Sequence, residues 1–368
     1  MMQKSLQAVV LAGGVSEHFQ TGKTKLIEKI CGKEMILYPL ELLKTLNLST
    51  TAVLGTQHDR IIPLVESYNK NIQLLQQKQD LGSGHAASLS KKLWSKEHIL
   101  LINADIPLLT EETINKLYNK HVKTDADISF ITAHGVDIEN KNYSRIVINN
   151  NKIHVLNDST APENIDSQCC VIGGVYIAKR TFLEKYMDTF NKGDNKKFQL
   201  PELVQVASNN NCKIVTSPVS IDTIRCINSL SDLWAVEHIK RSQIIQHWMN
   251  NGVRFENAIT IMIDETVIIE PGVYIGSSVH LLGNTVIKAH STVNAYSFIK
   301  HSTIEKGCYI KSHTVITHST IQENSIIHPF THIDHQNMIT STTTKNKQSS
   351  KTFTGAIKTK HINTQQDL

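Results

Sequence analysis

Apolar residues recur every six positions through the last third of this 368-residue chain. Ile269, Ile275, Leu281, Ile287, Val293 and Ile299 keep that step; Ile304, Ile310 and Ile316 resume it after a step of five, and Ile321, Ile327 and Ile333 after another. No α-helix has a six-residue period, and a single strand has a period of two. A parallel β-helix with three short faces per coil does have it, and these anchors make about four coils. Val273, Val279, Thr285, Ser291 and Ser297 stand four places after the first five anchors, as small or β-branched residues filling the inside of such a coil would. Each coil needs a stacked neighbour to bury its inward column, so the array is expected to fold as one rod.

Before about residue 245 the period changes. Short apolar runs at 7–11, 51–54, 99–103, 128–132, 144–148, 170–177 and 213–216 read as strands, with helical spacing between several of them, as at 35–46 and 84–94. Strand–helix alternation predicts an α/β fold, a mostly parallel sheet with helices on both faces. The predicted division is a nucleotide-handling domain over 1–230, a linking helix over 231–252, a β-helix over 253–335 and a disordered tail over 336–368. That tail is rich in Thr, Lys, Gln and Asn and poor in large apolar residues.

The first predicted strand runs through Leu11 and Ala12 into Gly13-Gly14, and Lys25 follows about a dozen residues on. Bare backbone N–H groups at paired glycines can approach a phosphate, and a lysine can balance its charge. In open α/β sheets ligands lie beyond the carboxyl ends of the strands, where this loop and the segment 103–108 both emerge.

Composition narrows the classes further. With 40% hydrophobic and 19% charged residues the chain can build a sizeable core, and a net charge of +5, much of it in the tail, does not demand a nucleic-acid partner. No apolar run reaches the length of a membrane span and the start is a poor signal peptide. The six cysteines show no CxxC pair and no metal-ligand spacing, so a reduced cytoplasmic setting is expected.

Six short motifs lie in order along the chain: Leu11-Ala12-Gly13-Gly14; Lys25 with Gly32-Lys33-Glu34-Met35; Gln77-Lys78-Gln79-Asp80-Leu81-Gly82-Ser83-Gly84-His85-Ala86; Asn103-Ala104-Asp105-Ile106-Pro107-Leu108-Leu109; Tyr143-Ser144-Arg145-Ile146-Val147; and Ile227-Asn228. Followed by the six-residue repeat, they resemble the bifunctional N-acetylglucosamine-1-phosphate uridylyltransferase/glucosamine-1-phosphate acetyltransferase family of bacterial cell-wall synthesis. The resemblance covers roughly residues 5–333.

It implies a nucleotidyltransferase fold with a left-handed β-helix, a homotrimer, and a reaction in which UTP and a sugar 1-phosphate give a UDP-sugar and pyrophosphate. Lys25 and Asp105 then take catalytic positions. Leu11, Ala12, Gly13, Gly14, Lys25, Gln77, Gly82 and Ser83 fall on the nucleotide side. Asn103, Ser144, Gly173 and Asn228 fall on the sugar side, and Asp105 with Asn228 is the expected pair of Mg²⁺ ligands. His85 is expected to position the Gln77–Gly82 loop.

Several positions depart from the family pattern. Ser16, Glu17, His18 and Phe19 stand where it has Gly-Thr-Arg-Met, so an arginine fork for the triphosphate is replaced by the shorter His18, with the negative Glu17 beside it. On the sugar side a glycine is replaced by Ser144, an acidic residue by Val155 and an asparagine by Ile172. Asp334 stands near an expected arginine, and the tail takes the place of the family's further coils, so no acetyltransferase activity is expected. The histidines at 280, 290, 301, 313, 318, 328 and 332 match no ligand spacing and are expected at coil faces or corners. Three readings follow: a UTP-dependent enzyme making UDP-N-acetylglucosamine, a catalytically impaired scaffold or regulatory homologue, and an enzyme for another sugar phosphate.

Overall fold

Strand β1 (Leu6–Ala12) is buried along its whole length, and its side chains divide between two cores. Leu6, Ala8, Val10 and Ala12 point to one, Val9 and Leu11 to the other, as period-two alternation in a sheet covered on both faces requires. The computed structural model describes residues 2–14, 19, 24–134, 143–149, 152–156, 170–189, 197–335 and 337–339.

The other strands of this sheet are β2 (Thr50–Leu54), β3 (Gln73–Gln76), β4 (His98–Asn103), β5 (Ile128–Ala133), β6 (Arg145–Asn149), β7 (Lys152–Leu156), β8 (Cys170–Lys179) and β9 (Ile214–Pro218). Their order is β9-β5-β8-β4-β1-β2-β3, with β6 on β8 and β7 on β6. Strands β3, β2, β1 and β4 are parallel, as are β5 and β9. Strand β8 runs antiparallel to both β4 and β5. The fold is thus α/β with a mostly parallel sheet. Strands β3 and β7 were not read from sequence: the first has two apolar residues between glutamines, and the second is the outer arm of a hairpin with β6.

Helices α1 (Leu37–Thr45), α2 (His58–Tyr68), α3 (Ser83–Leu89), α4 (Glu111–Thr124), α5 (Arg180–Tyr186), α6 (Pro201–Asn209) and α7 (Leu230–Asn250) complete the layers. Residues of α1, α2 and α4 join the core on the Leu6 side, and those of α3, α5 and α6 join the core on the Val9 side. Helix α7 starts at a capping box: Ser229 accepts from the Asp232 N–H and the Asp232 carboxylate accepts from the Ser229 N–H. Two donors of the first turn are satisfied there, which fixes the helix start beside the sheet.

Beyond α7 the chain winds into a parallel β-helix of three five-stranded sheets. Every anchor lies on its equivalent one coil away: Ile275 on Val293, Ile310 and Ile327; Leu281 on Ile299, Ile316 and Ile333; Ile269 on Ile287, Ile304 and Ile321. The stack has five levels rather than four. Its first strands (Arg254–Phe255 and Met262–Ile263) are separated by a 3-10 turn that breaks the six-residue step, and its last (Asn337–Ile339) pairs with Thr320–Ile321, past the expected boundary at 335. The rest of the expected tail lies outside the described residues.

The two parts are clamped together. Glu265 of the first coil sits 2.9 Å from Lys33 and 2.7 Å from Lys240, and its N–H donates to the Cys31 carbonyl. Gly32 has φ +83°, and a Cβ there would lie 2.4 Å from the Asp264 side chain. A glycine is required at that close approach.

Candidate active site

Strands β1, β2 and β4 end level with one another, because Leu11 is in register with Asn103 and Ala12 with Leu54. The next residues stay tied: Ala104 N–H donates to Leu11 O, Gly55 N–H to Ala12 O and Gln77 N–H to Leu54 O. Gly13-Gly14, Gln77 and Ala104-Asp105 therefore leave the sheet side by side, at the carboxyl edge where α/β crevices form. The resulting cleft of about 210 Å³ is lined by Leu11, Ala12, Gly13, Gly14, Lys25, Gln77, Gly82, Ser83, Asn103 and Asp105, among others. All the residues expected on the nucleotide side line this cleft.

The two glycines serve different ends. A Cβ on Gly13 would lie 2.1 Å from Gln77 Oε1, whereas a Cβ on Gly14 would meet none of the described residues within 4 Å. Gly13 lets Gln77 pack against the backbone, and Gly14 leaves its backbone open to the cleft. Gln77 is buried, and its Nε2 donates to the Gly82 carbonyl and to His85 Nδ1, both at 3.0 Å. A carbonyl can only accept, so the amide orientation is fixed and Oε1 is the acceptor left on the cleft side. His85 acts here as a support for Gln77; its pKa is lowered by burial, which keeps Nδ1 an acceptor.

Lys25 is buried, with Nζ 2.7 Å from Asp105 Oδ2 and 2.7 Å from Asn228 Oδ1. The three come from the loop after β1, the end of β4 and the residue ahead of the α7 cap. Ile227 N–H donates to the Asp105 carbonyl, tying the second segment to the third. Asn228 N–H donates to Asp232, so the capping carboxylate also holds Asn228 in place. Asp105 Oδ1 is buried with no hydrogen-bond partner among the described residues. An orphaned carboxylate oxygen next to a second hard oxygen suits a divalent cation such as Mg²⁺, and the pair fits that role.

A second cleft of about 200 Å³ adjoins the first and shares Asn103 and Ser83 with it. Its walls include Ser144, Gly173, Gly174, Tyr143, Ile172, Ile224 and Cys226. Asn103, Ser144 and Gly173, expected on the sugar side, lie here, while Asn228 lies at Lys25. Ile172 is both a core residue and part of the wall. Val155 packs on the same core from β7 and lines neither cleft. Cys226 is held as a thiol, its pKa pushed up to about 12 by burial and by the charge of Asp105.

Residues 8–173 match the family model of the MobA-like NTP transferase domain. The bifunctional protein GlmU of a Nitratiruptor species is 26% identical over 303 residues, which cover 82% of this chain and 69% of that protein. GlmU of Sulfurimonas denitrificans is 25% identical over 315 residues, covering 83% and 70%. GlmU of Thermosipho africanus is 27% identical over 266 residues, covering 71% and 56%. Over most of its length the chain is thus similar to GlmU proteins. It carries a nucleotidyltransferase domain.

Around the two clefts, three contributors were not read as site residues from sequence. Gln199 lines both clefts and accepts from the Ser83 N–H and hydroxyl; Ser83 Oγ in turn accepts from Leu200 N–H. Tyr143 OH accepts from Cys226 N–H, joining the two walls of the second cleft. Asp80 accepts from Gly82 N–H and pairs with Lys197. Gln199 stands in no motif and meets Ser83 116 residues away, while Asp80 and Tyr143 stand in motifs whose sequence does not show their contacts with Lys197 and Cys226. Ser16, Glu17 and His18 of the first loop lie outside the described residues, while Phe19 is buried in the core on the Leu6 side.

Proposed function

We propose that the paired clefts transfer a uridylyl group from UTP to N-acetylglucosamine 1-phosphate, forming UDP-N-acetylglucosamine and pyrophosphate. The observation that carries this reading is the convergence of Lys25, Asp105 and Asn228 on one point at the first cleft, which Lys25 and Asp105 line. In the reaction a phosphate oxygen of the sugar 1-phosphate attacks the α-phosphorus, and the bond to the pyrophosphate oxygen breaks. Such transfers need positioning and charge stabilisation more than covalent help.

The backbone at Gly13-Gly14 takes the phosphates, and Lys25 offsets negative charge building on them. Gln77 Oε1 accepts from the uracil imide N–H. Asp105 and Asn228 would hold Mg²⁺, which when bound withdraws charge from the phosphate oxygens. Asn103, at the junction of the clefts, orients the sugar.

A second reading, transfer to a different sugar phosphate, is favoured by one feature. Ile172, Ile224 and Cys226 give the second cleft an apolar wall. A buried sugar amide left without a partner there would lose about 1–3 kcal/mol. We further propose a homotrimer joined through the β-helix, as faces of this kind suit cyclic packing. No helix of the described residues is long and apolar enough to cross a membrane.

The test is a panel of NTP and sugar 1-phosphate pairs with Mg²⁺, read by pyrophosphate release. UTP with N-acetylglucosamine 1-phosphate is expected to be the fastest pair. A faster pair with another sugar moves the assignment to the second reading, and no release from any pair overturns both.

A further inference from the structure

The β-helix turns its corners through left-handed residues, and equivalent corners stack into columns. One column runs Gly283 (φ 60°), His301 (49°), His318 (45°) and His335 (49°). The five-residue steps of the repeat fall at His301 and His318, so the three histidines lie 17 residues apart, and Gly283 lies 18 before the first. Their rings stack face to face, 5.2 Å between His301 and His318 and 4.6 Å between His318 and His335. Comparing consecutive histidines along the sequence hides this column, because its neighbours in space are one whole coil apart.

Asp334 enters the same corner. It is in register with Thr317, and its Oδ1 lies 2.8 Å from His335 Nδ1 and 3.8 Å from His318 Nδ1. The three ligand atoms lie within 4.8 Å of one another, and all three residues are exposed. The Thr317 hydroxyl donates to Asp334 Oδ1, an outer contact of the kind that orients a ligating carboxylate. His301 differs, since its Nδ1 accepts from Asn284 N–H.

We propose that His318, Asp334 and His335 form a surface site for a divalent transition-metal ion of the zinc type, spanning two successive coils. Two imidazole nitrogens and one carboxylate oxygen are a donor set for such ions and a poor one for Mg²⁺, which selects oxygen. Ligands about 2.0–2.1 Å from zinc lie roughly 3.4 Å apart in a tetrahedron. Shifts of about an ångström in exposed side chains therefore close the site. Three protein ligands leave a fourth position for water. The ion would staple His318 of one coil to Asp334-His335 of the next, so its occupancy adds to the stability of the coil stack.

The experiment is Zn²⁺ binding to the full chain, by competition with a chelating dye, together with thermal melting. Wild type is expected to bind one equivalent more than the His318→Ala/His335→Ala double variant, and Zn²⁺ is expected to raise its melting temperature. His301→Ala, which removes a stacked ring but no ligand, is expected to keep that equivalent. So is Asp105→Asn, which alters the cleft. The extra equivalent is expected to weaken at least tenfold in either single variant. Equal stoichiometry and affinity in wild type and the double variant overturns the proposal, as does loss of the equivalent in Asp105→Asn alone.

Discussion

Lys25 Nζ and Asp105 Oδ2 form a 2.7 Å ion pair between residues 80 positions apart, and both side chains are largely buried. The pair closes the floor of the cleft, and Asn228 shares the ammonium. Removing one partner of a buried pair leaves the other charge uncompensated. Lys25→Ala is therefore expected to lower pyrophosphate release by about 10²–10³-fold, the scale for losing a charge-stabilising donor. Lys25→Arg is expected to recover little, since a planar fork does not reproduce an ammonium between two converging oxygens. Steady-state rates for both variants check this.

The contact of Gly13 with Gln77 separates two neighbouring glycines. Gly13→Ala puts a Cβ 2.1 Å from Gln77 Oε1 and must displace it, whereas Gly14→Ala meets none of the described residues within 4 Å. Gly13→Ala is expected to raise KM for the nucleotide at least tenfold and to lower the melting temperature. Gly14→Ala is expected to leave the melting temperature near wild type. Adding Gln77→Ala to Gly13→Ala should recover stability and not nucleotide affinity.

Stability should fall in mild acid for a reason remote from the cleft. His121 is fully buried, with Nδ1 2.7 Å from Ser129 Oγ and Nε2 3.2 Å from His98 Nδ1. Burial, with His98 and Lys179 nearby and against the pull of Asp125 and Asp127, lowers its pKa to about 4, and burial lowers that of His98 as well. In the unfolded chain both imidazoles protonate near pH 6.5, so between about pH 6.5 and 4 the unfolded state binds more protons. Stability is then full above that window and is lost as pH falls through it, by about 2 kcal/mol from His121 at pH 5. Denaturant melts from pH 7.5 to 5 measure the slope, and His121→Gln should flatten it.

In the β-helix, Ile299 is fully buried and stacks between Leu281 and Ile316. Ile299→Ala should cost about 2–5 kcal/mol by leaving a cavity in a close-packed column. Each coil is stabilised by its neighbours, so the loss should appear as lower hydrogen-exchange protection across the adjoining coils, with the α/β domain little changed.

The β-helix was legible because its inward column is continuous. From Ile269 to Ile333 the anchors keep a step of six apart from two steps of five, and each sits on its equivalent one coil away. His301 and His318 were expected at coil faces or corners and His335 was not read at all, and the column stayed hidden because His318 and His335 approach only after a complete turn. In the α/β domain the motif residues Gly13, Gln77, Lys25 and Asp105 were found because each sits at a strand end or in the loop after one. Gln199 was not found, because its place depends on pairing with Ser83, 116 residues away. That Gly173 lines the second cleft while Asn228 sits at Lys25 was hidden for the same reason. It follows from which strands neighbour which, and no local pattern carries that information.

The central claim is that Asp105, through its orphaned oxygen and its hold on Lys25, makes the cleft competent for nucleotidyl transfer. The most direct measurement compares pyrophosphate release from UTP and N-acetylglucosamine 1-phosphate, with Mg²⁺, by wild type and Asp105→Asn. The substitution keeps the side-chain shape and removes the charge. Wild-type turnover that falls at least a hundredfold in a variant with an unchanged circular dichroism spectrum is the predicted result. Turnover by Asp105→Asn at the wild-type rate would contradict the account.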